Sequence, residues 1–231
     1  MGRPETGNIT GKSLAEALAW IRDSGENNTA YTIVLGADEP SPPVTLEAGN
    51  TASPVYNKTN VAIVLKGASA ERNISLSGTG SLFTIGGGQN LSLDQYITLR
   101  GVNNNTMPLV VVREFGGLLM RGDSKITGNS NVGGAGGGVY SDGTFTMEDS
   151  ASVYNNTAGG GDGGGVATSG IFTMQGNASV HDNTTGDHGG GVSTTGTFTM
   201  QDSASVYNNT ADGGGGVSPG GTFIMRGNSS V

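Results

Sequence analysis

The sequence predicts an all-β fold, a right-handed parallel β-helix with three strands per coil and coils of about 25–27 residues, preceded by an N-terminal capping helix. Three observations lead there. Met120, Met147, Met174, Met200 and Met225 recur at spacings of 27, 27, 26 and 25, and Val139, Val166, Val192 and Val217 keep the same step. Such self-similarity is the signature of a repeat architecture. Within each unit the alternation has period 2: in Thr144-Phe145-Thr146-Met147-Glu148, Phe145 and Met147 share one side and the polar residues take the other, which is a strand pattern. Finally, one unit buries a Phe, a Met and two Val, on the order of 10 kcal/mol. Ordering its ~26 backbone units opposes this by about 1–2 kcal/mol each. A lone unit therefore does not fold, and stacking in register is the way such units become stable.

Taken in order, residues 1–30 form an N-terminal segment in which 13–22 are helical. Ser13-Leu14-Ala15-Glu16 is a capping box, Leu14, Ala17, Leu18 and Ile21 follow helical spacing, and Gly25 is the stop. This helix is expected to cover the first coil, whose open edge otherwise templates aggregation. Residues 31–231 read as one β-helix domain. Tyr31 to Leu35, Val61 to Leu65 and Asn73 to Leu76 predict a single wide coil with a long excursion over residues 37–60. Ser81 to Ile85 and Pro108 to Val112 are first strands of later coils, and Ile97 to Leu99 and Lys125-Ile126 are third strands. Regular repeats occupy 108–231, with Phe145, Phe172, Phe198 and Phe223 and the five methionines pointing inward and Gly-rich turns such as 159–165 between units. About seven coils at ~4.8 Å each predict a rod roughly 30–35 Å long. Val231 is the equivalent of Val206, so the chain is expected to stop in mid-coil, as part of a longer repeat protein, with an open last coil available for end-to-end self-association.

Charge narrows the function. The net charge is −8, and from Ile126 to Met225 there is no Lys or Arg against eight carboxylates, so this half lacks the basic face that nucleic acid requires. The absence of Cys excludes disulfides, a thiol nucleophile and Cys-ligated zinc. No run of 18 apolar residues predicts a membrane span, and the first residues, MGRPETGNITGKS, lack the apolar stretch of a secretion signal.

Candidate site residues follow from the repeat. Asn129, Asn156, Asn183 and Asn209 stack at one turn, where an internal amide ladder satisfies buried backbone groups of its own and the neighbouring coil. Thr144, Thr146, Thr173, Thr197 and Thr199 form an outward rank interrupted by Leu119, Ile171 and Ile224, as exposed β surface favours Thr. Arg121-Gly122-Asp123 reproduces an integrin-recognition tripeptide in an exposed turn, at a position that reads Gln175-Gly176-Asn177 and Arg226-Gly227-Asn228 elsewhere. No cofactor is expected. Ca²⁺ is the one ion left open, because Asp162, Asp187 and Asp212 lie in Gly-rich turns, although the tandem nonapeptide that binds Ca²⁺ in other β-helices is absent. His181 takes the outward place of Tyr154 and Tyr207, and His188 lies beside Asp187; both read as surface residues.

Gly-Gly-Gly-Val followed by hydrophobic-x-x-Asn (Ile126 to Asn129, Val153 to Asn156, Val180 to Asn183, Val206 to Asn209) resembles the GGA-I/F-x-x-N repeats of chlamydial polymorphic outer membrane proteins, with Val in place of the usual Phe. The intervening Gly-Thr-Phe-Thr-Met is similar to right-handed β-helix repeat proteins of spirochaete and gut-bacterial surfaces. The resemblance covers roughly residues 60–231 and implies an exported protein at the cell surface or outer membrane, or secreted, serving as an adhesin-like passenger or structural rod toward a host protein or glycan. Parallel β-helices also include polysaccharide lyases and hydrolases. Those need clustered carboxylates with a basic partner or Ca²⁺ in a walled cleft, whereas here only the 37–60 excursion, with Asp38, Glu39 and Glu47, offers irregular chain. The expectation is a non-enzymatic rod.

Overall fold

A computed structural model describes residues 5–231; residues 1–4 of the expected N-terminal segment lie outside the described residues. Among the described residues, the strands form parallel sheets of nine, seven and seven strands and a short one of three. The chain visits the first, second and third sheet in turn and then returns to the first one rung higher, which is a β-solenoid. Stacking is in register: Phe145 pairs with Phe172 and Met147 with Met174, then Phe172 with Phe198 and Phe198 with Phe223. The alternation seen in the sequence becomes burial, since Phe145 and Met147 are buried while Thr144 is exposed. Leu65, Leu93, Met120, Met147, Met174 and Met200 make one buried column and Ile74, Leu99, Ile126, Val153, Val180 and Val206 another.

The N-terminal third departs from expectation. Strand β1 (Glu5–Thr10) adds a rung that the sequence did not signal, helix α1 spans Leu14–Ser24, and β2 spans Ala30–Leu35. The first sheet's end is thus covered by a parallel strand, with Asn8 opposite Thr32 and Ile9 opposite Ile33. The helix packs against the first coil, while the edge of the first sheet that it was expected to cover is taken by β1. Ser13 and Glu16 close the capping box, and Leu14, Ala17, Leu18 and Ile21 face the core. The amide of Leu14 donates to Glu39 at 2.7 Å, so a strand residue of the first coil receives the free donor of the helix start. Gly25 is required where the helix stops, because a Cβ there would lie 2.4 Å from the Ile21 carbonyl oxygen.

Tyr31 to Leu35 and Val61 to Leu65 do not share a wide coil. Strand β3 spans Glu39–Ser41, β4 spans Val44–Leu46 and β5 spans Ala62–Gly67. Strands β2 and β5 are successive rungs of one sheet, Tyr31 opposite Ile63 and Ile33 opposite Leu65. The first coil is closed by β3 and β4, end strands of the second and third sheets. Pro40 lies within β3, and Pro42 and Pro43 join it to β4; proline is tolerated in β3 because an end strand has no further neighbour to receive its N–H. The excursion therefore begins after β4 and ends before β5. The solenoid has about eight turns instead of seven.

Candidate functional site

The turn after the second sheet holds the amide ladder. Asn129, Asn156 and Asn183 are buried and Asn209 is half-buried. Asn156 Nδ2 donates to Asn183 Oδ1 at 3.1 Å, and Asn183 Nδ2 to Asn209 Oδ1 at 3.0 Å. Asn129 Nδ2 serves the Gly137 carbonyl at 2.7 Å. The residue before each of the last three, Asn155, Asp182 and Asn208, has φ of 53–54°, a left-handed value that Asn and Asp tolerate. This explains the Asn-Asn and Asp-Asn pairs in the repeat. Asn105 is a further member that sequence reasoning missed: buried, it donates to Asn129 Oδ1 at 2.9 Å. It falls 24 residues before Asn129, short of the regular step.

Beside the ladder, the Phe145, Phe172, Phe198 and Phe223 rings stack with centroids 4.6, 4.7 and 5.1 Å apart. Met120, Met147, Met174 and Met200 are buried, while Met225, on the last rung, is 43% exposed. On the outer face Tyr154, His181 and Tyr207 form a second stack at 5.1 and 4.8 Å, with His181 Nδ1 2.7 Å from Asp182. His181 has a ring on each face, whereas Tyr207, on the end strand of that sheet, is exposed.

The Arg121-Gly122-Asp123 turn is half-buried instead of freely exposed. Arg121 pairs with Asp94 at 3.0 Å, the Gly122 N–H donates to Asp149 at 3.0 Å, and Asp123 accepts the Tyr96 N–H at 2.7 Å. Asp202 receives the Gly176 N–H in the same way. These carboxylates lace one coil to the next. Asp162, Asp187 and His188 converge, with ligand-capable atoms within 4.8 Å. His188 Nδ1 sits 2.5 Å from Asp187 and 3.5 Å from Asp162. Asp212 is not part of this group. The cluster lies at the surface and offers three ligand atoms where Ca²⁺ takes six to eight oxygens.

The carboxylates of residues 37–60 each have a partner elsewhere in the fold. Asp38 accepts from the Asn73 amides, which hold it below the usual carboxylate range. Glu39 accepts from Leu14, and Glu47 pairs with Arg113 at 2.8 Å. Glu71 is held below its ordinary value by a hydrogen bond from Lys125, whose own value is raised by the same contact.

Two residues passed over in the sequence frame an open groove of about 510 Å³ on the first sheet: Phe115, 80% exposed, and Gly117. The 27-residue step carried the signal, since it pairs Phe115 with Gly88 and Gly117 with Asn90. Comparison of the chain with family models, with curated proteins and with solved structures finds no match.

Proposed function

We propose that the chain is a non-enzymatic rod of a cell-surface or secreted protein, an adhesin-like passenger or a spacer that presents its outer faces to a host protein or glycan. The observation that carries this reading is the continuity of the stack. One column of Asn amides, one of Phe rings and one of Met side chains run through successive coils, so the sequence invests its regularity in length and rigidity. The acidic side chains in the turns are spent on neighbouring coils, as Asp149 and Asp202 show. No carboxylate lines the groove on the first sheet, which supports binding over acid–base chemistry there. No helix among the described residues is long and apolar enough to cross a membrane.

The test is labelling of intact source cells with an antibody to this chain, together with binding of the purified chain to a panel of matrix proteins and glycans. Surface labelling with retention of a panel member is the expected result for an adhesin, and labelling without retention identifies a spacer. Staining only after permeabilisation would overturn the surface reading, and release of unsaturated uronate from pectins would replace the rod with a lyase.

A further inference from the structure

The corner from the third sheet back to the first is two residues long in the regular coils, as at Asp142-Gly143, but four long between Val112 and Gly117. The coil before it has the same four-residue corner, Gly86-Gly87-Gly88-Gln89. In both, the third residue is left-handed: φ is +73° at Gly88 and +62° at Phe115, and the Gly88 N–H donates to the Phe115 carbonyl at 2.9 Å. Glycine adopts this conformation freely, whereas a bulky L-residue there is strained. The Phe115 ring gains little burial in return, being 80% exposed. A strained, solvent-facing aromatic is a functional candidate.

The neighbouring column shows the opposite choice. Asn90, Gly117 and Thr144 are aligned on adjacent rungs. Gly117 presents nothing outward, and a Cβ there would lie 2.4 Å from Asn90 Oδ1, so the Asn90 amide leans over the gap. The result is the groove of about 510 Å³ lined by Phe115, Asn90, Ser92, Leu119, Thr144 and Thr146. That volume lies in the range of small-ligand sites, roughly 300–1,000 Å³. The lining is uncharged in a chain of net charge −8, and Arg113 at the same corner is neutralised by Glu47.

An exposed ring beside an amide and three hydroxyls matches a ligand with an apolar C–H face edged by hydroxyl groups. Because no fixed charge lines the groove, that ligand is not an anion. We infer that this groove binds a neutral saccharide, a hexose or N-acetylhexosamine unit seated on Phe115 with its hydroxyls toward Asn90, Ser92, Thr144 and Thr146. The inference rests on the surface-rod reading and names its partner class.

The experiment uses the full chain on an array of neutral hexose and N-acetylhexosamine oligosaccharides printed beside sialylated and uronate-containing ones. Three variants accompany it: Phe115→Ala, Phe115→Tyr and Gly117→Thr, the last giving this rung the residue that the next one carries at Thr144. The expected result is retention of neutral glycans by the parent chain and by Phe115→Tyr, with at least a tenfold loss in Phe115→Ala and Gly117→Thr at unchanged far-UV circular dichroism. Should Gly117→Thr fail to fold, Phe115→Ala decides alone, since its ring is outside the core. No neutral glycan retained, equal retention by the parent chain and Phe115→Ala, or preference for the acidic glycans would overturn the inference. A null array on a chain that does label intact cells removes the groove alone, whereas staining confined to permeabilised cells removes the surface reading whatever the array shows.

Discussion

The side-chain amide of Asn156 has four polar partners: its two N–H groups are shared among the Ile126 and Tyr154 carbonyls and Asn183 Oδ1, and its oxygen accepts the Asn129 N–H. Three of these contacts are buried and the one to Tyr154 is half-buried, and each buried polar group left without a partner costs about 1–3 kcal/mol. Asn156→Ala is expected to destabilise the protein by about 3 kcal/mol, read as a lower midpoint in equilibrium guanidinium denaturation. Asn209→Ala should lose about half as much, because Asn209 is half-buried and the Tyr207 carbonyl it serves lies at the surface. Equal losses at the two positions would show that the ladder is not what the interior depends on. The requirement for Asn follows from its inventory, since one short side chain must supply donors and an acceptor together, and Asp or Leu at the same place lacks one or both.

Between elements, Glu71 links three successive coils along the second sheet: it accepts from Thr98 Oγ1 at 3.0 Å and pairs with Lys125 Nζ at 2.5 Å. Its lowered value means that its contribution is present at neutral pH and is lost as pH falls below the ordinary carboxylate range, about pH 4–5. The raised value of Lys125 means that the pair also weakens as pH rises past the ordinary lysine range, near pH 10.4. Both groups are partly exposed, so the pair contributes no more than about 1 kcal/mol. Glu71→Gln should therefore be slightly less stable than the parent chain at pH 7, with the gap narrowing as pH falls toward 3, measured as denaturation midpoints across that interval. A gap that persists unchanged at pH 3 would sink the assignment. Elements with strong alternation and several inward residues, such as Thr144–Met147 and its successors, were legible from the chain alone, and so was the capped helix. Strand β1 was not, because Glu5–Thr10 carries a single large apolar residue, Ile9, and is a strand only because β2 offers an unpaired edge. Prolines hid β3 and β4, and the two-residue strands Ser130–Asn131, Thr157–Ala158 and Thr184–Thr185 are too short to show a period. The groove was legible in principle, since it consists of one departure in each of two neighbouring columns whose step was already known.

At the scale of the whole molecule, each coil touches the one before and the one after, so stability is close to a sum of coil and interface contributions and no coil is topologically indispensable. That property separates a solenoid from a globular domain of the same size, in which deleting 27 consecutive residues removes part of a single core. Residues 144–170 make one complete turn here, because Ile171 pairs directly over Thr144 and Gly170 stands where Gly143 does. Excising them joins Gly143 to Ile171 and leaves Leu118 to meet Phe172 and Met120 to meet Met174, both apolar, with Asn129 meeting Asn183 in the ladder. The shortened chain is expected to keep its β spectrum by far-UV circular dichroism and to lose about 5 Å, one rung, from its longest dimension in small-angle scattering. Removing 13 residues instead, 144–156, puts Thr157 and Ala158 of the short sheet over Gly117 and Leu118 of the first and Val166 of the third sheet over Ile126 of the second, and should abolish the spectrum. If both deletions behave alike, whether both fold or both fail, the coils are not interchangeable units and the rod is not built by repetition.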